Sequence, residues 1–128
     1  MKRGYHALVV ADANTRMRRL IRSIIEPLID RIDECACFED AALQYSRFQP
    51  DFVIADVDLR TAAGIAVLLQ IRRMDPEAQL LIVTDDDSSE FRHATQRLQV
   101  WRYVEKQDLT KLAQAIDDLT LRSKPEGG

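Results

Sequence analysis

The sequence lacks any apolar stretch long enough to cross a bilayer. Its longest uninterrupted apolar runs, Ala7–Ala11 and Ile65–Leu69, have five residues each, whereas a membrane-spanning helix needs about 20. Five residues also fall short of the apolar core of a signal peptide. We therefore expect a cytoplasmic protein with no membrane partner.

An excess of basic residues is also missing. The 128 residues include 18 Lys and Arg against 21 Asp and Glu, for a net charge of −3. Stand-alone nucleic-acid-binding domains are usually basic, so we expect no direct contact with DNA or RNA. One local basic cluster, Arg16, Arg18, Arg19 and Arg22, fits the solvated face of a helix or a docking patch for an acidic partner.

Cysteine is scarce, and the two cysteines do not define a site. If Cys35 and Cys37 lie in one strand, both side chains point to the same face and serve as small buried apolar groups. A metal site would need further soft ligands, and His6 and His93 are far away in sequence. A disulfide between positions two apart in a strand has poor geometry. The sequence therefore predicts neither a metal centre nor a disulfide here.

What the sequence does contain is a regular alternation of short apolar runs and helical periodicity. Strands are predicted at Tyr5–Val10, Asp33–Phe38, Phe52–Ala55, Leu80–Val83 and Trp101–Val104. Helices are predicted from a cap at Asn14 or Thr15 to Pro27, at Glu39–Phe48, from the end of a loop at Val57–Gly64 to about Met74, from the end of a loop at Asp85–Ser89 to about Leu98, and at Asp108–Leu121. This order indicates one α/β domain over residues 5–121, a doubly wound parallel sheet with helices on both faces, followed by a polar tail at residues 122–128.

Polar side chains stand where the predicted strands end. Asp12 follows the first strand, Asp56 and Asp58 follow the third, Thr84 the fourth and Lys106 the fifth. Sites in such sheets lie at the carboxyl ends of the strands. A carboxylate can act as nucleophile, a hydroxyl and an ammonium can bind phosphoryl oxygens, and several carboxylates can hold Mg²⁺. Each residue alone also suits an ordinary strand-end position, but their joint placement favours phosphoryl chemistry.

The arrangement resembles the receiver domain of two-component response regulators over residues 5 to about 121. The resemblance is carried by Leu8–Asp12, Met17–Arg22, Pro50–Asp56, Gly64 eight residues beyond Asp56, Leu80–Thr84, and Tyr103 followed three residues later by Lys106. No single motif is specific; their order and spacing over five strands are. The resemblance implies a flavodoxin-like fold with strand order 2-1-3-4-5.

The resemblance also implies a role for each matched residue. Asp56 would accept a phosphoryl group from a histidine kinase or phosphotransfer protein, and Lys106 would pair with it. Thr84 would contact the phosphoryl group and reorient, while Tyr103 would swing between outward and inward rotamers.

By the same resemblance, the output face would be the fourth helix, fifth strand and fifth helix. It would include Trp101, Arg102 and Tyr103, residue types enriched at interface hot spots. A downstream protein or a second copy of the chain would bind there. Trp101 could instead simply pack against the last helix.

Several positions depart from the family pattern. The family has two adjacent acids after the first strand, and here Asp12 is followed by Ala13. The resemblance leaves Asp12, Asp56 and the backbone carbonyl of Asp58 as ligands, so we expect Mg²⁺ to bind weakly. The carboxylates of Asp58 and Asp85 either reach the site or are solvated. Further departures are Leu59–Arg60 in place of Met-Pro, Asp85 in place of a small residue, Gln99–Val100 in place of Gly-Ala, and Gln107 in place of proline.

Three functions remain open at this point. The first is a phosphorylatable receiver, and the second is a degenerate receiver that binds partners without phosphorylation. The third is a phosphatase of haloacid-dehalogenase type, in which Asp56 would be the nucleophile and Asp58 the acid–base. That motif normally lies on the first strand, and here two strands precede it. We therefore expect no enzyme.

Overall fold

The computed structural model describes residues 4–86 and 88–123, and in it five strands alternate with five helices. The strands are β1 (His6–Val10), β2 (Arg31–Cys35), β3 (Phe52–Asp56), β4 (Leu80–Thr84) and β5 (Arg102–Glu105). The helices are α1 (Thr15–Ile25), α2 (Phe38–Phe48), α3 (Ala62–Met74), α4 (Ser89–Ala94) and α5 (Thr110–Ser123). Within this described part, no helix is both long and apolar enough to span a membrane. Residues 124–128 of the predicted tail lie outside it.

The strands form one parallel sheet in the order β2-β1-β3-β4-β5, so the predicted fold is confirmed. The register aligns the carboxyl ends of the strands. Asp56 lies opposite Val83, and Thr84 lies opposite Glu105. The residues that follow the strands are thereby brought to one edge of the sheet.

Two apolar layers cover the faces of the sheet. Along β1, Leu8 and Val10 face the layer with α2, α3 and α4, while Ala7 and Val9 face the layer with α1 and α5. The strands β1, β3 and β4 lie inside the sheet and are apolar and buried on both faces, which is usual for central parallel strands.

The predicted second strand was wrong at both ends. The strand β2 ends at Cys35, and Phe38 is buried as the first residue of α2. Phe38 reaches the core from a helix because Cys37 leaves the strand and precedes that helix. The edge position of β2 explains its polar composition, since Asp33 forms an ion pair with Arg31 and a hydrogen bond with the ring of His6. The apolar signal near Phe38 therefore belonged to the next element.

Smaller differences concern helix boundaries. The helix α3 begins at Ala62, so Gly64 lies inside it rather than before it. The helix α4 ends at Ala94 and is followed by a short 3₁₀ helix at Gln96–Leu98. A second 3₁₀ helix at Lys106–Asp108 delays the start of α5 to Thr110.

The arginine cluster of α1 is not uniformly solvated. The helix begins at an Asn14 cap, whose side chain accepts a hydrogen bond from the amide of Met17. Arg18 is only 11% exposed, and its guanidinium donates to the carbonyl oxygen of Ala11 at 2.7 Å. Arg18 and Arg22 both pair with Glu34 on β2. These contacts fasten α1 to the sheet, whereas Arg16 and Arg19 are exposed.

The two cysteines do not share a strand. Cys35 is buried at the end of β2, as predicted, whereas Cys37 is partly exposed and its thiol donates to a carboxylate oxygen of Asp40. Both thiols are free.

Candidate functional site

The centre of the candidate site is an ion pair between Asp56 and Lys106. Asp56 is the last residue of β3, and Lys106 directly follows β5. The Lys106 ammonium lies 2.8 Å from Oδ1 of Asp56, and the side chains are 24% and 11% exposed, respectively. The sheet register produces this contact, because β3 and β5 flank β4 and all three end at the same edge. A partly buried carboxylate beside an ammonium can accept an electrophile whose added negative charge the lysine then balances.

Thr84 ends β4 at the same edge and is buried. Its hydroxyl oxygen accepts a hydrogen bond from the Asp86 amide at 3.0 Å. This hydrogen bond closes a short turn directly after β4. The hydroxyl is thus placed where the sequence predicts it, and it is engaged with the backbone of its own loop.

The carboxylate of Asp12, the acidic residue after β1, lies beside the first residue of α2. The Asp12 carboxylate is exposed, and its Oδ2 accepts a hydrogen bond from the Phe38 amide at 3.3 Å. Ala13 follows with a φ of +53°. This left-handed conformation costs a residue with a Cβ about 1–2 kcal/mol, so the turn after β1 carries local strain.

Asp58 is held from two sides. Its carbonyl oxygen accepts hydrogen bonds from the hydroxyl and the amide of Thr61, at 2.8 and 3.1 Å. Its carboxylate, 10% exposed, accepts from the backbone amide and the guanidinium of Arg60, both at 2.8 Å. These hydrogen bonds from Arg60 lower the pKa of the Asp58 carboxyl. Asp58 is therefore neither a solvated loop charge nor an open ligand.

Sequence reasoning missed the part played by Arg60. One nitrogen of its guanidinium, Nη2, lies 2.8 Å from Asp58 and 3.5 Å from Asp85. It thus connects the loop after β3 with the loop after β4. The available signal was the departure itself, an arginine where the family has proline.

The donor set does not fit a divalent cation well. Mg²⁺ prefers near-octahedral oxygen coordination. Here Ala13 supplies no side-chain oxygen, and the Asp58 carbonyl already accepts two hydrogen bonds. Asp56 is paired with Lys106. Among the described residues, no group of three His, Cys, Asp or Glu side chains is arranged to hold a metal ion.

Tyr103 lies on β5, on the face of the sheet that α4 covers. Its hydroxyl shares a hydrogen bond of 2.6 Å with the hydroxyl of Thr95, which is fully buried. The ring packs edge-on against Phe91, at 6.1 Å between centroids, and the Arg92 guanidinium lies 3.9 Å from the Tyr103 ring centroid. Three neighbours from the α4 region therefore hold this side chain.

The other two residues of the predicted output face lie on the opposite side of the sheet from Tyr103. Trp101 precedes β5 and packs against the apolar layer that contains α1 and α5. Arg102 donates to Asp118 on α5 at 3.1 Å. Trp101 therefore packs on the side of the sheet that carries the last helix, which was the alternative to a role at the output face. All three residues lie at the β5 edge of the sheet.

Comparison with known proteins agrees with this fold. A sequence model of the family described as "Response regulator receiver domain" matches residues 8–117. The chain belongs to this family. It is 27% identical over 77 residues to the chemotaxis protein CheY of Halobacterium salinarum, an alignment covering 60% of this chain and 64% of that protein. The aligned segment thus spans less than two thirds of that relative.

Solved structures show the same fold. A two-component response regulator of the LuxR family from Aurantimonas sp. SI85-9A1 superposes with a TM-score of 0.79 and 27% identity, over 94% of this chain and 87% of that one. The response regulator domain of Thermotoga maritima CheB superposes with a TM-score of 0.77 over 96% of this chain and all of that one. The latter is only 18% identical and shows the fold alone.

Membership places the chain in two-component signalling. Receiver domains are generally signalling modules rather than enzymes, and they interact with histidine kinases or phosphotransfer proteins. They generally bind Mg²⁺ at the acidic pocket.

Proposed function

We propose that the chain is a single receiver domain over residues 5–121 that accepts a phosphoryl group on Asp56. The observation that carries this proposal is the 2.8 Å contact between Asp56 and Lys106 at the shared end of β3 and β5. It supplies a nucleophile and a fixed cation within one small volume. The family supports phosphohistidine of a kinase or phosphotransfer protein as the donor.

The chemistry at this edge involves Asp56, Lys106, Thr84 and the donor. A carboxylate oxygen of Asp56 attacks phosphorus, so an O–P bond forms while the P–N bond to the donor imidazole breaks. The imidazole nitrogen keeps the electron pair of the broken bond and takes a proton. The Lys106 ammonium then lies beside the phosphoryl oxygens and offsets their charge. Thr84 can donate to a phosphoryl oxygen once its hydroxyl leaves the Asp86 backbone.

Magnesium would assist this reaction only weakly. Asp12 and Asp56 are the side chains that could hold the ion, and Ala13 removes the second acid of the family pattern. Two carboxylates and a carbonyl that already accepts two hydrogen bonds make a poor site for an ion that tolerates irregular geometry badly.

A phosphorylated chain would signal through the edge formed by α4, β5 and α5. Trp101, Arg102 and Tyr103 are the residues that a downstream protein or a second copy of the chain would contact there. We propose no catalytic turnover, no nucleic-acid contact and a cytoplasmic location.

The second candidate function is a degenerate receiver that binds its partner without phosphorylation. The observation that favours it is the arrangement around Tyr103, whose hydroxyl is bonded to the buried Thr95 and whose ring lies against Phe91 and Arg92. A side chain held by three neighbours does not change rotamer readily, so the edge would keep one conformation.

Intact-mass analysis after incubation with acetyl phosphate and Mg²⁺ separates the two candidates. The first predicts that the wild type gains one phosphoryl group and that Asp56→Asn gains none. Asp51→Asn makes the same substitution just before the other end of β3 and is a matched control that should label normally. Absence of label in the wild type would leave the degenerate receiver as the better account.

A further inference from the structure

Arg60 occupies an unusual position for an exposed arginine. Its side chain is 80% exposed, yet three of its N–H groups, including the backbone amide, point at the carboxylate of Asp58. The same guanidinium reaches Asp85 at 3.5 Å. One cation thus connects carboxylates from two loops.

The backbone of Asp58 is held by contacts that do not involve the arginine. Thr61 accepts the Asp58 amide N–H on its hydroxyl oxygen, and both its hydroxyl and its amide donate to the Asp58 carbonyl. The Asp58 carboxylate is only 10% exposed. Because the Asp58 backbone is held and the guanidinium fork is planar, this pair loses less side-chain entropy per hydrogen bond than two mobile surface groups do.

Charge at this edge is already balanced in part by the protein itself. Asp56, Asp58 and Asp85 carry three negative charges, and Lys106 and Arg60 carry two positive ones that contact them. Each of these three carboxylates therefore has a cationic N–H donor of the chain beside it.

We propose that Arg60 is the resident cation of this pocket, holding Asp58 and Asp85 by its guanidinium and thereby excluding a divalent metal. The proposal rests on the proposed function for its consequence. In a receiver that has its own fixed cation at this edge, phosphorylation of Asp56 depends less on Mg²⁺. The Asp58 carboxylate would become a metal ligand only when Arg60 is absent.

The test is direct binding of Mn²⁺, followed by electron paramagnetic resonance of the free ion. Arg60→Gln removes one positive charge and frees the Asp58 carboxylate, so Mn²⁺ should bind about tenfold more tightly than to the wild type. Adding Asp58→Asn to Arg60→Gln should abolish the gain. Arg73→Gln removes an exposed arginine near the far end of α3, about 17 Å along the helix axis from Ala62, and should change nothing.

Two results would overturn the proposal. One is a Kd for Mn²⁺ that stays within twofold of the wild type in Arg60→Gln. The other is an equal gain in Arg73→Gln, which would reflect net charge alone. Arg60→Met is the second variant should Arg60→Gln not fold, as checked by circular dichroism. Because Mn²⁺ binding does not require phosphate on Asp56, a wild type that takes no label defeats the proposed function and leaves this test intact.

Discussion

The hydroxyl groups of Tyr103 and Thr95 lie 2.6 Å apart, in a part of the molecule where Thr95 has no solvent exposure. Tyr103 is on β5, and Thr95 directly follows α4. In a receiver the Tyr103 side chain is expected to change rotamer, and α4 belongs to the face that partners are expected to bind. This hydrogen bond joins the two. Two-state signalling requires an element whose equilibrium between two conformations the phosphoryl group can shift. Here the hydrogen bond to Thr95 stabilises one of the two conformations of Tyr103.

Replacing Thr95 by valine should release Tyr103. The change keeps the volume of the side chain but removes the hydroxyl, at a cost of about 1 kcal/mol in the free energy of unfolding. Beryllofluoride with Mg²⁺ should then shift the NMR signals of the Tyr103 ring more in Thr95→Val than in the wild type. Thr110→Val, at an exposed position, is the control. Equal shifts in Thr95→Val and the wild type would mean that the bond does not restrain the ring.

Gly64 should not tolerate a methyl group, although alanine usually stabilises a helix. A Cβ at position 64 would lie 2.6 Å from a ring carbon of Phe38 and 2.7 Å from a methyl carbon of Val57. We expect Gly64→Ala to lower the free energy of unfolding by about 1–3 kcal/mol, measured by urea denaturation. Ala66→Gly, at an exposed position in the same helix, should cost about 1 kcal/mol by propensity alone. A more stable Gly64→Ala protein would contradict the close packing of α2 and α3.

Asp58 should make stability depend on acid. Hydrogen bonds from Arg60 lower the pKa of its carboxyl in the folded state. A lowered folded pKa gives stability that is fully present above the unfolded value of about 3.9 and is lost as the pH falls through the folded pKa. Asp58→Asn should therefore be less stable than the wild type at pH 7 by about 1 kcal/mol. Denaturation at several pH values should show this gap closing below about pH 4, and a constant gap would contradict the assignment.

Restoring an acid at position 13 should strengthen Mg²⁺ binding. Ala13 has a left-handed backbone, which aspartate and asparagine adopt more readily than alanine. Ala13→Asp should fold normally and bind Mg²⁺ more tightly in a calorimetric titration. Ala13→Asn has the same shape without the charge and should give a much smaller gain. Unchanged affinity in Ala13→Asp would mean either that the site is already complete or that it is not a metal site, and it would contradict the role given to Ala13.

The sequence predicted the sheet and its polar edge because those depend on local pattern. The apolar runs at β1, β3 and β4 are typical of strands buried inside a parallel sheet. The residues that follow such strands then lie at the same edge of the sheet. The second strand was placed wrongly because an edge strand carries charges such as Asp33, so its pattern is weak. Phe38 is apolar and follows closely, so the predicted strand was extended to a residue that belongs to α2.

The contacts of Arg60 and Thr95 could not be predicted in the same way. Arg60 is one of several charged loop residues, and its contact with Asp85 depends on how two loops approach each other at the edge of the sheet. Thr95 is a polar residue in a weakly apolar helical segment. Its sequence context does not indicate that the fold places it against Tyr103. The contacts of Arg60 with Asp85 and of Thr95 with Tyr103 join residues of different segments, which no helical or strand period relates.

The central claim is that Asp56 carries the phosphoryl group, and chemical trapping tests it most directly. Borohydride cleaves an aspartyl phosphate and leaves homoserine at the labelled position, which peptide sequencing then locates. After acetyl phosphate and Mg²⁺, we predict homoserine at position 56, with little or none in Lys106→Met because the balancing ammonium is gone. Homoserine at Asp12, Asp58 or Asp85, or at no position, would contradict the claim.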